Sequence, residues 1–201
     1  KAGNGIDKVK GFDTGPGVSL INEAVTYFYE DIYDIDGMYS LDGKINEKLL
    51  NNLMQIEYIS KEPPKSTHTS DFGLCLFKKI IDDNRRINNN DVIRTLVQFT
   101  VNSILFNMDT FIAKKMMNKN KIDVICSGGG IKHPIIFSEL NKSSKYKFYS
   151  IDEIGISSDY KETLLMAVLG YCRVRKIKGN VPSVTGAKKS VILGDIYCGK
   201  D

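Results

Sequence analysis

The sequence predicts an α/β fold in which a largely parallel or mixed sheet is covered by helices. Short apolar runs alternate with stretches whose apolar residues recur at helical spacing. Twice a strand-like run ends in a glycine-rich turn that opens a helix, at 11–17 and at 127–130. Composition agrees: 201 residues with 42% hydrophobic and 26% charged content suit one soluble globular domain with a substantial core.

The elements follow in chain order. Gly3-Asn4-Gly5 reads as a hairpin turn and 9–12 as a short strand. After the turn Gly11-Phe12-Asp13-Thr14-Gly15-Pro16-Gly17, the spacing of Val18, Leu20, Ile21, Ala24, Val25 and Phe28 predicts a helix. Asp36-Gly37 and Asp42-Gly43 bracket an irregular stretch, and Asn46 caps a helix carrying Leu49, Leu50, Leu53 and Met54. Two prolines in Glu62-Pro63-Pro64-Lys65-Ser66-Thr67 fix φ, predicting a defined loop that presents Lys65, Ser66 and Thr67; a simple helix connector is the other reading. Helices are predicted over 71–81 and 91–117, strands over 122–126, 146–150 and 191–193, and further helices over 134–140 and 159–174.

The turns suggest chemistry. Glycine lets backbone N–H groups approach anionic oxygens and accepts positive φ. Asp13 is therefore a candidate general base or an anchor for a magnesium-bound water, with a plain surface turn as the competing reading of so short a motif. The following helix would aim its N-terminus at any anion there. Because the second turn has glycines and no carboxylate, the pair suggests a division between γ-phosphate chemistry and nucleoside binding. Neither turn matches the P-loop or the dinucleotide fingerprint, and both lie where ligands bind in such sheets, beyond the carboxyl ends of strands.

Other classes are disfavoured. The net charge of +4 is scattered, and its densest cluster, Arg173, Arg175, Lys176 and Lys178, reads as a solvated helix end with no nucleic-acid partner. No membrane span is expected, since polar residues from Arg94 to Lys114 interrupt the longest helical stretch. Cys75, Cys126, Cys172 and Cys198 form no C-x-x-C pair, so neither zinc nor redox chemistry is indicated, and reduced thiols in a cytoplasmic protein are the simplest account. Since the first residue is Lys1, a further N-terminal stretch is expected.

Four segments in order, GFDTGPG at 11–17, PPKSTHTSDFG at 63–73, CSGGGIKHP at 126–134 and PSVTGA at 182–187 followed by Ile192-Leu193-Gly194, resemble the C-terminal half of the anhydro-N-acetylmuramic acid kinase family. The resemblance covers essentially the whole chain, and Asp159-Tyr160-Lys161-Glu162-Thr163-Leu164 also fits that family's helix. It implies an actin-like ATPase (ribonuclease H-like) C-terminal domain, in the superfamily of actin, hexokinase and Hsp70. That single domain would occupy residues 1–201, with the N-terminal domain and its first phosphate-binding turn absent from this chain.

The implied activity is hydrolytic opening of the 1,6-anhydro ring of anhydro-N-acetylmuramic acid with phosphorylation of its 6-oxygen, in cytoplasmic peptidoglycan recycling, using ATP and Mg. By the same resemblance Asp13 is the general base, Thr14, Gly15 and Gly17 bind phosphate, Gly128, Gly129 and Gly130 bind nucleotide, and Glu162 holds the sugar. No metal ligand is assigned. The implied partners are the sugar, ATP, the missing N-terminal domain and a homodimeric copy, and the isolated chain is expected to be inactive or to bind nucleotide weakly.

Duller readings stay open at this point. Asp13 caps a turn, the triple glycine is a tight turn without ligand, Glu162 serves the helix dipole, and His68 and His133 are surface or capping residues. Another sugar kinase or ATPase of the superfamily, or a non-catalytic sugar- or nucleotide-binding module, is the alternative function. The chain departs from the family pattern at Val18, at His68-Thr69 and at Ile131-Lys132-His133, changes that bear on ligand contacts more than on fold.

Overall fold

A computed structural model describes residues 5, 9–68, 70–113, 121–197 and 199. The first helix, α1 (Ser19–Tyr29), begins directly after the glycine-proline turn and buries Leu20, Ile21, Ala24 and Val25 on one face. A 3-10 turn, Ile35–Gly37, leads into the short α2 (Met38–Leu41). Asn46 caps α3 (Glu47–Met54) as its sequence position predicts, its side chain accepting from the Leu49 N–H. After α4 (Glu57–Ser60) and the proline-rich loop come α5 (Leu74–Asp83) and α6 (Asn89–Asn107). The last of these runs on into a π turn, Met108–Ile112.

The 19-residue α6 is the axis of the molecule. Val92, Ile93, Leu96, Val97, Phe99 and Val101 are all buried, and α1, α2, α3 and α4 pack around them. A helix apolar on so many sides can only be stable inside a core. Its buried polar residues have tasks: Thr95 accepts from the Asn46 N–H, Thr100 donates to the Gly17 carbonyl, and Asn107 donates to the Thr14 carbonyl.

Next to it stands a β-α-β unit made of β1 (Ile122–Cys126), α7 (Pro134–Asn141) and β2 (Tyr146–Ser150). The two strands pair in parallel, from Ile122 opposite Tyr146 to Cys126 opposite Ser150. Ile135, Ile136, Leu140, Tyr146 and Phe148 join this layer to the helical core. A 3-10 turn, Ser158–Tyr160, precedes α8 (Lys161–Val174), and a single turn, α9 (Pro182–Thr185), follows.

The fold is therefore mixed α/β but mostly helical, and several expectations need correction. Residues 9–12 form no strand: Val9 accepts from the Ser183 hydroxyl at 2.7 Å, and Gly11 lies so close to Val184 that a Cβ would fall 2.5 Å from its Cγ1. Residues 191–193 form none either, since Val191 pairs locally with the Gly179 N–H and the Asn180 side chain. In both segments backbone groups that a sheet neighbour would satisfy are met otherwise, by the α9 Ser183 side chain in the first and by the adjoining loop in the second. The predicted helix 71–81 begins later, at Leu74, and that over 159–174 starts as a 3-10 turn. The end of the stretch 91–117, the Gly3-Asn4 turn residues, Thr69 and Cys198 lie outside the described residues. Among those described, Cys75, Cys126 and Cys172 are free thiols, and no helix is long and apolar enough to cross a membrane.

Candidate active site

The first glycine turn is pinned from below by α6. A Cβ at Gly15 would lie 2.8 Å from the Ser103 hydroxyl, so only glycine lets the loop approach the helix this closely. Gly17, at φ 58°, turns the chain into α1 with its carbonyl held by Thr100 at 2.7 Å. Asn107 ties the Thr14 carbonyl at 3.1 Å and the Ile59 carbonyl at 3.3 Å to the end of α6. At the helix start Val18 supplies no side-chain acceptor, leaving the first turn of α1 without a cap.

Asp13 stands exposed at the rim of this turn. One carboxylate oxygen, Oδ2, accepts from the Ser66 hydroxyl at 3.0 Å and the Thr67 N–H at 2.9 Å. Its N–H donates to the Lys65 carbonyl and its carbonyl accepts from the Tyr58 hydroxyl. The proline-rich loop thus wraps the aspartate, and two segments read separately in the sequence form one structure. Lys65 corrects the expectation that the loop presents it. It is only 5% exposed, donates to the Tyr58 and Ile59 carbonyls, and lies over the rings of Tyr58 and Phe111. Burial, with Lys61 nearby, pulls its ammonium below the ordinary lysine range. Burial pushes the Tyr58 phenol up, and the carboxylates of Asp13 and Asp71 add to the effect.

The second turn meets the first. Gly128 has φ 93°, which favours glycine, and a Cβ at Gly128 or Gly129 would enter open space. Gly130 sits against Val18, its Cβ position 3.4 Å from Val18 Cγ1, so the triple glycine faces the start of α1. A mostly apolar cleft of about 380 Å³ opens there between Val18, Ile21, Tyr33 and Ile35 on one side and Gly129, Lys132 and His133 on the other.

The cleft is also lined by a pair the sequence reading missed. His133, 8% exposed, corrects the surface alternative and bears out the capping one: Nδ1 accepts from the Ile136 N–H at the start of α7, and Nε2 faces Asp34 Oδ2 at 3.1 Å. Burial alone would raise the Asp34 carboxyl. Hydrogen bonds from His133, Ser40 and the Tyr39 N–H outweigh it and hold the group below its ordinary value. The Asp36-Gly37 turn was the only nearby signal, and it said nothing of a partner 99 residues away.

Glu162 stands apart. Its exposed carboxylate pairs with Lys161 at 3.0 Å, and that pairing keeps it below the usual glutamate range. Among the described residues no hydrogen bond joins it to Asp13 or to either glycine turn. Lys161, which the sequence reading passed over, also donates to the Ser127 hydroxyl at 3.2 Å and so fastens the start of α8 to the second turn. His68 lies exposed in its loop with Nδ1 near the Ser70 hydroxyl.

Comparison with known proteins matches residues 5–199 to the sequence model of the family described as anhydro-N-acetylmuramic acid kinase. A protein of that name from Clostridioides difficile (strain 630) is 36% identical over 193 residues, covering 95% of this chain and 49% of the relative. One from Francisella tularensis subsp. novicida (strain U112) is 35% identical with the same two coverages, and one from Vibrio vulnificus (strain YJ016) is 33% identical over 94% of this chain. The chain spans about half the length of the curated relatives it matches.

Proposed function

The chain belongs to the anhydro-N-acetylmuramic acid kinase family, and from that premise we propose that it is the C-terminal, actin-like (ribonuclease H-like) domain of an ATP-dependent sugar kinase. The substrate is 1,6-anhydro-N-acetylmuramic acid, and the setting is cytoplasmic peptidoglycan recycling. Water adds its oxygen to the anomeric carbon and gives its proton to Asp13. The bond from that carbon to the bridging oxygen breaks, and this oxygen, the sugar's 6-oxygen, bonds to the γ-phosphorus as ADP departs.

The observation that carries this reading is the placement of Asp13: exposed, anchored through one carboxylate oxygen, on a glycine turn that leads into Val18, which sits against Gly130 and lines the apolar cleft. A positioned carboxylate is ionised at neutral pH and accepts a proton only as the attacking water becomes acidic, which is worth about 10²–10⁴-fold. Phosphoryl transfer otherwise depends on alignment and charge stabilisation. Thr14, Gly15 and Gly17 supply backbone around the phosphates, with the uncapped start of α1 beyond them. Gly128, Gly129 and Gly130 approach the nucleotide, with Gly129 lining the cleft, whose walls of Val18, Ile21, Tyr33 and Ile35 suit a flat nucleobase. The family resemblance assigns Glu162 to the sugar.

Mg suits this donor set when it arrives with the nucleotide, because it is held by one or two carboxylates, substrate phosphates and waters. Asp13 is the carboxylate we assign to such a water. Among the described residues there is no group of three or more histidine, cysteine or acidic side chains arranged to hold an ion by themselves.

The test is to incubate this chain with MgATP and the anhydro sugar, alone and with the remaining half of a family polypeptide, and to identify products by mass spectrometry. Phosphorylated N-acetylmuramic acid is expected when both halves are present. Its absence with both halves folded and associated would overturn the reading.

A further inference from the structure

We propose that Ser66 is a positioning residue that fixes which oxygen of Asp13 takes the proton, an inference that rests on the base role given to Asp13 above. Ser66 Oγ and the Thr67 N–H both donate to Oδ2, and among the described residues no donor reaches Oδ1. Two donors on one oxygen stop the carboxylate from rotating and leave the other oxygen without a donor among the described residues. A base whose free lone pairs point one way presents them to the attacking water without paying for reorientation in the transition state.

The loop that carries Ser66 is itself immobilised from several directions. The Lys65 side chain is buried on the carbonyls of Tyr58 and Ile59. On the other side Asp71 accepts from the Thr67 hydroxyl and the His68 N–H, both at 3.0 Å, which sets the direction of the Thr67 amide. Those hydrogen bonds hold the Asp71 carboxyl below its ordinary value. Ser66 alone in this arrangement combines an exposed side chain with a direct bond to the reacting carboxylate, so replacing it removes one donor and disturbs no packing.

Two measurements on Ser66→Ala and Ser66→Thr decide the matter. In this chain labelled with carbon-13, Ser66→Ala should move the Asp13 carboxyl resonance and Ser66→Thr, which keeps the hydroxyl, should restore it. In the assembly of this chain with the other half of a family polypeptide, Ser66→Ala should lower kcat about tenfold, as expected for losing one hydrogen bond to a charged group, with KM for ATP and sugar unchanged and with rescue by Ser66→Thr. An unmoved carboxyl resonance, or a rise in KM at constant kcat, overturns the positioning role. A wild-type assembly without turnover, with the resonance still moved by Ser66→Ala, defeats the kinase reading and leaves the Ser66 bond to Oδ2 standing.

Discussion

At the scale of single residues, two carboxylates have opposite tasks. Asp13 is exposed and half engaged, so Asp13→Asn, which keeps the shape and the bond to Ser66, should leave the melting temperature within a degree or two and lower turnover of the assembled enzyme about 10²–10⁴-fold. Thermal unfolding and product assay on one preparation check both halves of that statement. Asp34 is buried and fully engaged, so its variant should behave in reverse. Because its folded carboxyl sits below the ordinary value of 3.8, the unfolded chain binds the proton first as pH falls. Its contribution is whole above about pH 5 and is lost as pH drops through 3.8 towards the folded value. Asp34→Asn should cost about 2 kcal/mol at pH 7, for hydrogen bonds to a charged group, and a clearly smaller amount at pH 3. Urea midpoints at the two pH values measure the difference, and an equal cost at both would refute the assignment.

At the scale of elements, the first glycine turn is tied to the helix beneath it by Thr100 and Asn107. Gly15→Ala would push a methyl to 2.8 Å from Ser103 Oγ in a packed interior, so a destabilisation of about 1–3 kcal/mol is expected, with the Thr14 carbonyl drawn off Asn107. Denaturant titration gives the first number, and faster hydrogen exchange across 13–17 would show the second. The sequence was legible where structure is local. Asn46 before an apolar periodic run made a capped helix, and the glycines ahead of α1 and α7 made strand-to-helix or loop-to-helix turns. It misled over 9–12 and 191–193, because an apolar run becomes a strand only when a neighbour takes its N–H and C=O groups, and that neighbour is not written in the run itself. The site divides in the same way. Asp13 and both glycine turns were readable as motifs, whereas the bond from Ser66 spans 53 residues and that from His133 spans 99, distances over which spacing carries no signal.

At the scale of the whole molecule, one side is unlike the rest. The 14-residue α8 has no buried residue, and Leu165, Met166, Tyr171 and Val174 are 55%, 66%, 58% and 67% exposed. An apolar patch of this kind marks an interaction surface rather than a solvated helix. Its start is fastened by Lys161 to Ser127, so whatever covers α8 also stands beside the triple glycine. Since the relatives carry as much chain again as is matched here, the kinase reading proposed above predicts that the other half of a family polypeptide covers this face. Adding that half should slow hydrogen exchange along α8 and at 127–130 together. The double variant Leu165→Glu, Met166→Glu should weaken the association at least tenfold while leaving the melting temperature of this chain alone unchanged, because neither side chain contributes to the core. Protection of α8 that rises with the concentration of this chain by itself, and is unaffected by the other half, would instead assign the surface to a second copy.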